Sequence, residues 1–272
     1  MMIRRHTIRI ALLSLSLSAL AVAAHAQAAQ TAPAKPFEPQ VGQAGKDVVW
    51  VPTPQALVDK MLDMAQLTPQ DFIMDLGSGD GRTVITAAKR GSRAVGVEYN
   101  PDMVALATKN AAEAGVTDKA SFMKADLFET DFSKAQVITM FLLPSINMKL
   151  RPTLLNLKPG TRIVSNSFTM EDWEADLSET ISGDCVSWCT AHLWIIPAKV
   201  EGTWQLGQDT LTLKQTFQHF SGSLGSTGIT AGNLSGENIT FNVGSTTYTG
   251  KVNGTTISGK TSAGAPFTAT RK

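Results

Sequence analysis

The chain has 272 residues, of which 43% are hydrophobic and 17% are charged. This composition is typical of a folded globular protein, and the length allows one large domain or a medium domain with a small one. The formal net charge of +1 lacks the basic excess of nucleic-acid-binding proteins, so we expect no nucleic-acid partner.

The N-terminal 26 residues have the pattern of an export signal. Arginines at positions 4, 5 and 9 precede an apolar run over residues 10–24, and Ala24-His25-Ala26 offers small residues for cleavage. The run is about 15 residues, shorter than the roughly 20 that cross a bilayer. We expect a cleaved signal peptide over residues 1–26, an exported, periplasmic protein, and no stable membrane span afterwards. An uncleaved membrane anchor is the alternative.

The next stretch, residues 27–47, is rich in Ala, Pro and Gln and is predicted to be a flexible linker. Folded structure is expected to begin near Trp50. Thr53 followed by Pro54 predicts a helix start, with Thr53 as the N-cap and the proline at the first helical position.

From residue 71 onward, strand-like and helix-like segments alternate. Strands are expected over residues 72–76, 94–97, 121–125, 136–142 and 161–168. Strands separated by helices predict right-handed crossovers and a mostly parallel sheet with helices on both faces. Two further strand-like segments in residues 175–197 lack a helix between them, which predicts an antiparallel hairpin at the sheet edge. We expect one Rossmann-like α/β domain over residues 48–198.

Composition changes in the last part of the chain. Residues 199–272 are rich in Gly, Thr and Ser and alternate apolar with polar side chains, with turn signals such as Val252-Asn253-Gly254-Thr255. This pattern predicts a second domain of six or seven short antiparallel strands, folded as a small sandwich or barrel.

The two cysteines, Cys185 and Cys189, lie in a stretch that has the pattern of a strand. Residues four apart on a strand are separated by about 13 Å, beyond the roughly 7 Å that a disulfide allows between Cα atoms. The sequence therefore predicts two buried thiols. No metal site is expected.

A glycine-rich turn, Asp75-Leu76-Gly77-Ser78-Gly79-Asp80-Gly81-Arg82, joins the first strand to a helix. Glycines allow the backbone to approach a ligand closely. The spacing is GxGxG after an acidic residue, whereas dinucleotide sites use GxGxxG. An acid here would repel a pyrophosphate but can accept a hydrogen bond from a cationic amino-acid group. Asp75, Gly77, Ser78, Gly79 and Gly81 are the candidate ligand-binding residues.

Two more acids follow the next two strands. Glu98, beside Tyr99, can accept hydrogen bonds from both ribose hydroxyls of an adenosine. Asp126 can meet the adenine amino group while Leu127 packs on the ring. Acids at successive strand ends share one crevice in an open α/β sheet. The alternative is that Glu98 and Asp126 only cap the segments that follow them.

The runs DLGSGDGR, GVEYN, KADLF and VITMFLLPS closely resemble class I methyltransferases, over roughly residues 50–197. Within that class the chain is similar to seven-strand protein-lysine methyltransferases of the ATP-synthase c-subunit type and their archaeal relatives. The resemblance implies S-adenosylmethionine as cofactor and lysine in a protein as methyl acceptor. It also implies that the cofactor is bound by these residues: Asp75, Gly77, Gly79, Glu98 and Asp126. The alternatives are a small-molecule methyltransferase, or a non-catalytic exported protein that binds through its β-domain.

The FLLPS segment supplies the candidates for an acceptor channel, namely Leu143, Pro144 and Ser145. Phe141 and Leu142 are interpreted as core at the end of a buried strand. No side chain is placed clearly enough to be a general base. His192 is interpreted as a structural residue of a strand. The sequence specifies no oligomeric state.

Overall fold

The computed structural model describes residues 37–183 and 185–272. The expected signal peptide, residues 1–26, lies outside these ranges. The described chain forms a seven-stranded sheet with helices, followed by a closed β-barrel. Within it, no helix combines the length and apolarity needed to cross a bilayer.

The sheet domain alternates strands and helices as expected. Its helices are α1 (Gln55–Met64), α2 (Arg82–Lys89), α3 (Pro101–Glu113) and α4 (Pro144–Leu154). Its strands are β1 (Phe72–Leu76), β2 (Arg93–Glu98), β3 (Ala120–Lys124), β4 (Val137–Met140), β5 (Arg162–Asn166), β6 (Leu177–Thr180) and β7 (Thr190–Ile195). The strand order is β3-β2-β1-β4-β5-β7-β6, and β7 is antiparallel to both of its neighbours. The Rossmann-like prediction is confirmed, including the hairpin at the edge.

Both faces of the sheet are covered, which explains why its central strands carry mostly apolar side chains on both sides. Ile73 of β1 packs in a core with residues of α1 and α2. Met74 and Leu76, which point to the other face, pack in a second core with residues of α4. All four residues of β4 are buried. Such continuous apolar strands are typical of parallel sheets.

The strand order also determines where a ligand can bind. The chain moves outward from β1 through β2 to β3, and then returns to add β4 on the other side of β1. This reversal is a topological switch point, and open α/β sheets bind ligands in the crevice at the carboxyl ends of the strands there.

The barrel has eight antiparallel strands rather than the expected six or seven. They are β8 (Gly202–Leu206), β9 (Asp209–Thr216), β10 (His219–Leu224), β11 (Thr227–Ser235), β12 (Asn238–Val243), β13 (Thr246–Asn253), β14 (Thr256–Thr261) and β15 (Pro266–Arg271). The last strand, β15, pairs with the first, β8, and this closure leaves no exposed sheet edge. Trp204, Phe241 and Ile257 are fully buried in its apolar interior.

The barrel is joined to the sheet domain by a buried polar and aromatic contact. The Trp173 ring, which follows β5, stacks on Phe217 of the barrel with centroids 5.7 Å apart. The Trp173 indole N–H donates to Gln218 Oε1 at 3.0 Å, and Gln218 Nε2 donates to the Glu174 carbonyl at 2.9 Å. Because both polar groups of Gln218 are satisfied, its burial costs little.

Candidate active site

The glycine-rich turn takes a conformation that other residues rarely adopt. Gly77, Gly79 and Gly81 have φ angles of 78°, 52° and 83°. A Cβ added at Gly79 would lie 2.7 Å from the indole nitrogen of Trp50. The turn therefore needs glycine both for its backbone angles and for the close approach of a neighbouring segment.

Two of the expected residues of this turn pack against neighbouring strands. Gly81 is the N-cap of α2, and a Cβ there would lie 2.6 Å from the ring of Phe122, so this glycine serves helix–strand packing. The Ser78 hydroxyl is buried without a hydrogen-bond partner among the described residues. It points toward Gly96, whose missing Cβ leaves room for it.

Asp75 is the most strongly perturbed acid of the site. It is 7% exposed, and the Thr139 hydroxyl of β4 donates to its Oδ1 at 2.7 Å. Burial raises the pKa of Asp75 to about 7, and the nearby charges of Asp80 and Glu98 act in the same direction, while the Thr139 hydrogen bond opposes them. A cation bound beside this carboxyl group would stabilise its ionised form.

Glu98 lies at the end of β2 and holds the turn in place. Its Oε2 accepts from the Gly79 N–H at 3.0 Å, and its Oε1 accepts from the Asn100 N–H at 2.9 Å. Each carboxylate oxygen has a further lone pair for a ligand. The adjacent Tyr99 is 49% exposed and also lines the cavity described below. The structure therefore supports the capping interpretation of Glu98, and the ligand-binding one stays a prediction.

Asp126, after β3, contacts a residue that the sequence did not single out. Its Oδ1 accepts from the Phe128 N–H at 2.9 Å, and its Oδ2 pairs with Lys46. The Lys46 contact is the largest cause that holds the pKa of Asp126 below its usual value. The Lys46 ammonium also lies 4.8 Å from the ring centroid of Tyr99.

Lys46 belongs to a segment whose described part is not the expected flexible linker. The Gly42 N–H donates to the Trp50 carbonyl at 2.8 Å, the Trp50 N–H donates to the Gln43 carbonyl at 2.9 Å, and Ala44 bridges to Val49. The segment is fixed because Trp50 packs on Gly79. The helix α1 also begins one residue late, at Gln55, because Thr53 instead accepts a hydrogen bond from Asn166.

These groups surround one cavity of about 510 Å³ at the carboxyl ends of β1 and β4, within the usual range for small-molecule sites. Five carboxylates and two basic side chains line it. They are Asp47, Asp75, Asp80, Glu98 and Asp126, with Lys46 and Arg82. Of the other expected residues, Gly77, Ser78, Gly79, Tyr99 and Leu127 also line the cavity.

The segment after β4 forms a different, apolar part of the wall. Leu143 lines the cavity and is 40% exposed. Pro144 and Ser145 do not line it, because they already form the first turn of α4. Leu142 is 2% exposed, as expected of a core residue, whereas Phe141 is only partly buried and presents its ring to the cavity.

Phe141 belongs to an aromatic cluster that the sequence did not reveal. Its ring lies 6.0 Å from that of Phe168 and 5.8 Å from that of Trp188, and the Phe168 and Trp188 centroids are 5.2 Å apart. All three rings line the cavity. Phe168 and Trp188 follow β5 and precede β7, so they are brought together only by the fold of the sheet edge.

The prediction of two free, buried thiols was wrong. Cys185 and Cys189 form a disulfide with a Cα–Cα distance of 5.8 Å. They lie in the loop between β6 and β7 rather than within a strand, so the 13 Å spacing of an extended chain does not apply. Trp188 lies inside this disulfide loop, with φ at 59°.

The two histidines in the described part of the chain, His192 and His219, do not line the cavity. His192 is in β7, its Nδ1 lies 2.8 Å from the Ser178 hydroxyl, and burial lowers its pKa. Among the described residues that line the cavity there is no histidine.

Comparisons with known proteins agree with this geometry. Residues 75–177 match the model of the ANTKMT methyltransferase domain. A protein-lysine N-methyltransferase of Saccharolobus islandicus is 47% identical over 129 residues, which are 46% of this chain and 80% of that protein. The chain belongs to this family of class I S-adenosylmethionine-dependent methyltransferases.

Other relatives share the methyltransferase domain. The ATP-synthase c-subunit lysine N-methyltransferase of Mus musculus is 38% identical over 105 residues, 38% of this chain and 42% of that protein. The crystal structure of an RNA methyltransferase from Salinibacter ruber, bound to S-adenosyl-L-homocysteine, has 49% sequence identity and a TM-score of 0.52. It covers 55% of this chain and 96% of that one. This methyltransferase spans between 42% and 59% of the vertebrate relatives it matches.

The residues of the cavity fit S-adenosylmethionine. The buried Asp75 suits a cationic amino-acid group, Glu98 suits vicinal hydroxyls, and Asp126 with Leu127 suits an adenine. The glycines of the turn let Trp50 and Leu142 approach its backbone closely. The switch point of the sheet is therefore the candidate cofactor site.

Proposed function

We propose that this methyltransferase transfers a methyl group from S-adenosylmethionine to the ε-amino group of lysine in a protein acceptor. The proposal rests on one observation, namely that the cavity has two differently lined parts. One part is lined by carboxylates, and the part beside Phe141 and Leu143 is apolar and open to solvent. The Saccharolobus relative, which is named a protein-lysine N-methyltransferase, supports the same acceptor.

The bound cofactor supplies an electrophilic methyl group on a sulfonium sulfur, which a nucleophile attacks in line. The residues of the chain bind and align the two reactants, because correct alignment alone lowers such a barrier by several kcal/mol. Asp75 would hold the cationic amino-acid end of the cofactor, and Glu98, which accepts a hydrogen bond from the Gly79 N–H, would hold its ribose.

The acceptor lysine must be neutral to attack. Deprotonating a group of pKa about 10.4 at pH 7.4 costs about 4 kcal/mol. An apolar wall lowers this cost because burial disfavours the charged form. Phe141 and Leu143 supply that wall, and the ammonium proton passes to water before the amine reaches the methyl group.

The charge of the cavity favours lysine over RNA. Its five carboxylates outnumber the two basic side chains, so a phosphate backbone would be repelled while a cationic side chain would be attracted. The Salinibacter relative is nevertheless titled an RNA methyltransferase, and a small-molecule acceptor is the remaining alternative. The experiment therefore includes all three acceptor classes.

The test is incubation of the purified chain with methyl-tritiated S-adenosylmethionine and separate protein, RNA and low-mass fractions of source cells. We expect label in protein, released as methyllysine on acid hydrolysis, and no label with an Asp75→Ala variant. Label confined to RNA or to low-mass products would contradict the lysine proposal.

We also propose that the protein is exported after removal of residues 1–26. The arginines and apolar run at the N-terminus support this location, and the Cys185–Cys189 disulfide suits an oxidising compartment. Mass spectrometry of the cellular protein should find Gln27 as the first residue, in the periplasmic fraction. An intact Met1 in the cytoplasmic fraction would contradict export.

A further inference from the structure

The rim of the cavity includes an aromatic wall that the cofactor site does not use. This wall, formed by Phe141, Phe168 and Trp188, lies on the β5–β7 side of the sheet. The cofactor carboxylates Glu98 and Asp126 follow β2 and β3 on the other side of β1. The aromatic wall is therefore placed to meet the acceptor rather than the adenosine.

Trp188 is the most accessible ring of the wall. It is 43% exposed, although its ring packs against Phe168 at 5.2 Å and against Phe141 at 5.8 Å. Its neighbour Val186 is 98% exposed. An apolar surface of this kind beside a cavity is typical of a binding site.

Separate contacts hold the segments that carry Phe168 and Trp188. Asn147 of α4 donates to the carbonyls of Phe168 and Thr169, at 3.3 and 3.2 Å. The disulfide closes the loop that carries Trp188, and the Ile181 N–H donates to the Cys189 carbonyl at 2.9 Å across the base of that loop. A left-handed backbone at a tryptophan is unfavourable, and such conformations concentrate at functional sites.

We propose that the aromatic wall binds the side chain of the acceptor lysine, and that the Cys185–Cys189 disulfide positions Trp188 for this contact. The inference rests on the proposed lysine acceptor. Aromatic faces attract an ammonium group and also pack against the methylene chain that carries it. The excess of carboxylates in the same cavity favours this cationic occupant over a nucleobase stacked on the rings.

The first test is a titration followed by NMR of tryptophan indole N–H signals, with the full chain saturated with S-adenosyl-L-homocysteine. Trp173, Trp194 and Trp204 are fully buried, and the Trp188 signal is identified by its absence in Trp188→Phe. The probes are acetyl-Gly-Lys-Gly-amide, the same peptide with norleucine in place of lysine, and uridine monophosphate.

We expect a saturable shift of the Trp188 signal with the lysine peptide, at an affinity at least about fivefold higher than for the norleucine peptide. No saturable shift with the lysine peptide, or equal affinity for both peptides, would overturn the proposal. A response to uridine monophosphate alone would also overturn it and would favour RNA.

Variants test the positioning role of the disulfide. Trp188→Ala is expected to weaken lysine-peptide binding about five- to tenfold, Trp188→Phe about twofold or less, and the double variant Cys185→Ser/Cys189→Ser about as much as Trp188→Ala. The control is Leu177→Ala, an exposed apolar residue outside the cavity. Wild-type binding by the double cysteine variant would refute the role of the disulfide.

The outcomes separate this inference from the proposed function. Affinity for S-adenosyl-L-homocysteine should stay within about twofold of wild type in every variant, which also shows that each is folded. If methyllysine forms but Trp188→Ala binds the lysine peptide normally, only the aromatic-wall proposal fails. If no methyllysine forms in any protein fraction, the proposed function is wrong, and the aromatic-wall proposal, which rests on it, fails with it.

Discussion

The sheet and the barrel of this methyltransferase bury similar apolar side chains but leave very different space for a ligand. In the sheet, the chain diverges from β1 in two directions, so a crevice opens between neighbouring strand ends, and acids lie at or near the carboxyl ends of three of them. In the barrel, β15 pairs with β8 and the interior is filled by rings such as Trp204 and Phe241. Strand connectivity, rather than strand content, determines where the chemistry can occur.

The sheet domain and the barrel also differ in the kind of side chain that they bury. The sheet carries a buried acid with a raised pKa, which is unfavourable for folding but useful for binding a cation. The buried side chains of the barrel core are apolar, and its contact with the sheet is made through Trp173, Phe217 and Gln218. We therefore expect the barrel to contribute to stability and the sheet to cofactor binding.

The largest effect is expected from removal of the largest side chain of the barrel core, which tests whether the barrel contributes to stability but not to cofactor binding. Trp204 is fully buried and its indole N–H donates to the Val200 carbonyl at 2.8 Å. Trp204→Ala should lower the free energy of unfolding by about 3–5 kcal/mol. Denaturant unfolding measures this loss, and calorimetry at low temperature should show cofactor affinity within about twofold of wild type. An equally large loss of affinity would show that the two parts are coupled.

The converse change removes the acid from the sheet. Asp75→Ala should reduce S-adenosylmethionine affinity at least about 100-fold, because a buried charged hydrogen-bond partner of the ligand is lost. Isothermal titration calorimetry measures the affinity. Asp209→Ala, an exposed aspartate in the barrel, is the matched control and should bind normally. Normal cofactor binding by Asp75→Ala would contradict the proposed role of Asp75 in the cofactor site.

The junction between the two parts should give an intermediate effect. Gln218→Ala leaves the Trp173 indole N–H and the Glu174 carbonyl without partners and should cost about 1–3 kcal/mol of unfolding free energy. Thermal unfolding with two probes, one for each part, should show the barrel transition separating from that of the sheet. A single transition at the wild-type temperature would mean that this contact does not join them.

The smallest expected effect is a pH dependence of cofactor binding. The pKa of Asp75 is raised to about 7 in the free protein, and a bound cation favours the ionised form and lowers that pKa. Binding therefore releases a proton below pH 7, and affinity should rise about tenfold from pH 6 to pH 8. Calorimetry in buffers of different ionisation enthalpy measures the proton release. An Asp75→Asn variant should lose this pH dependence; a wild-type affinity that falls with rising pH over this range would contradict the assignment.

The order of the sheet elements and the position of the acids followed from sequence because each depends on local patterns. A buried parallel strand is mostly apolar, and GxGxG marks the turn after it, so Asp75, Glu98 and Asp126 were found by their positions at strand ends. The aromatic wall was missed because Phe141, Phe168 and Trp188 are far apart in the chain. Only the pairing of β5 with β7 brings the last two together.

The sequence predictions that differ from the structure failed for specific physical reasons. The disulfide was rejected because residues 185–189 were interpreted as a strand, and a loop brings Cα atoms much closer. Lys46 was overlooked because a stretch rich in small residues and proline was expected to be flexible, yet Trp50 anchors its end to Gly79. The eighth barrel strand was missed because short strands with weak alternation are stabilised by closure of the barrel rather than by local propensity.

A crystal structure of the full chain with S-adenosyl-L-homocysteine would show where the cofactor binds. We expect the ligand in the cavity at the ends of β1 and β4, with its amino group at Asp75, its ribose at Glu98 and its adenine beside Asp126 and Leu127. A ligand bound elsewhere, or a glycine turn packed shut against it, would show that these residues do not form the cofactor site.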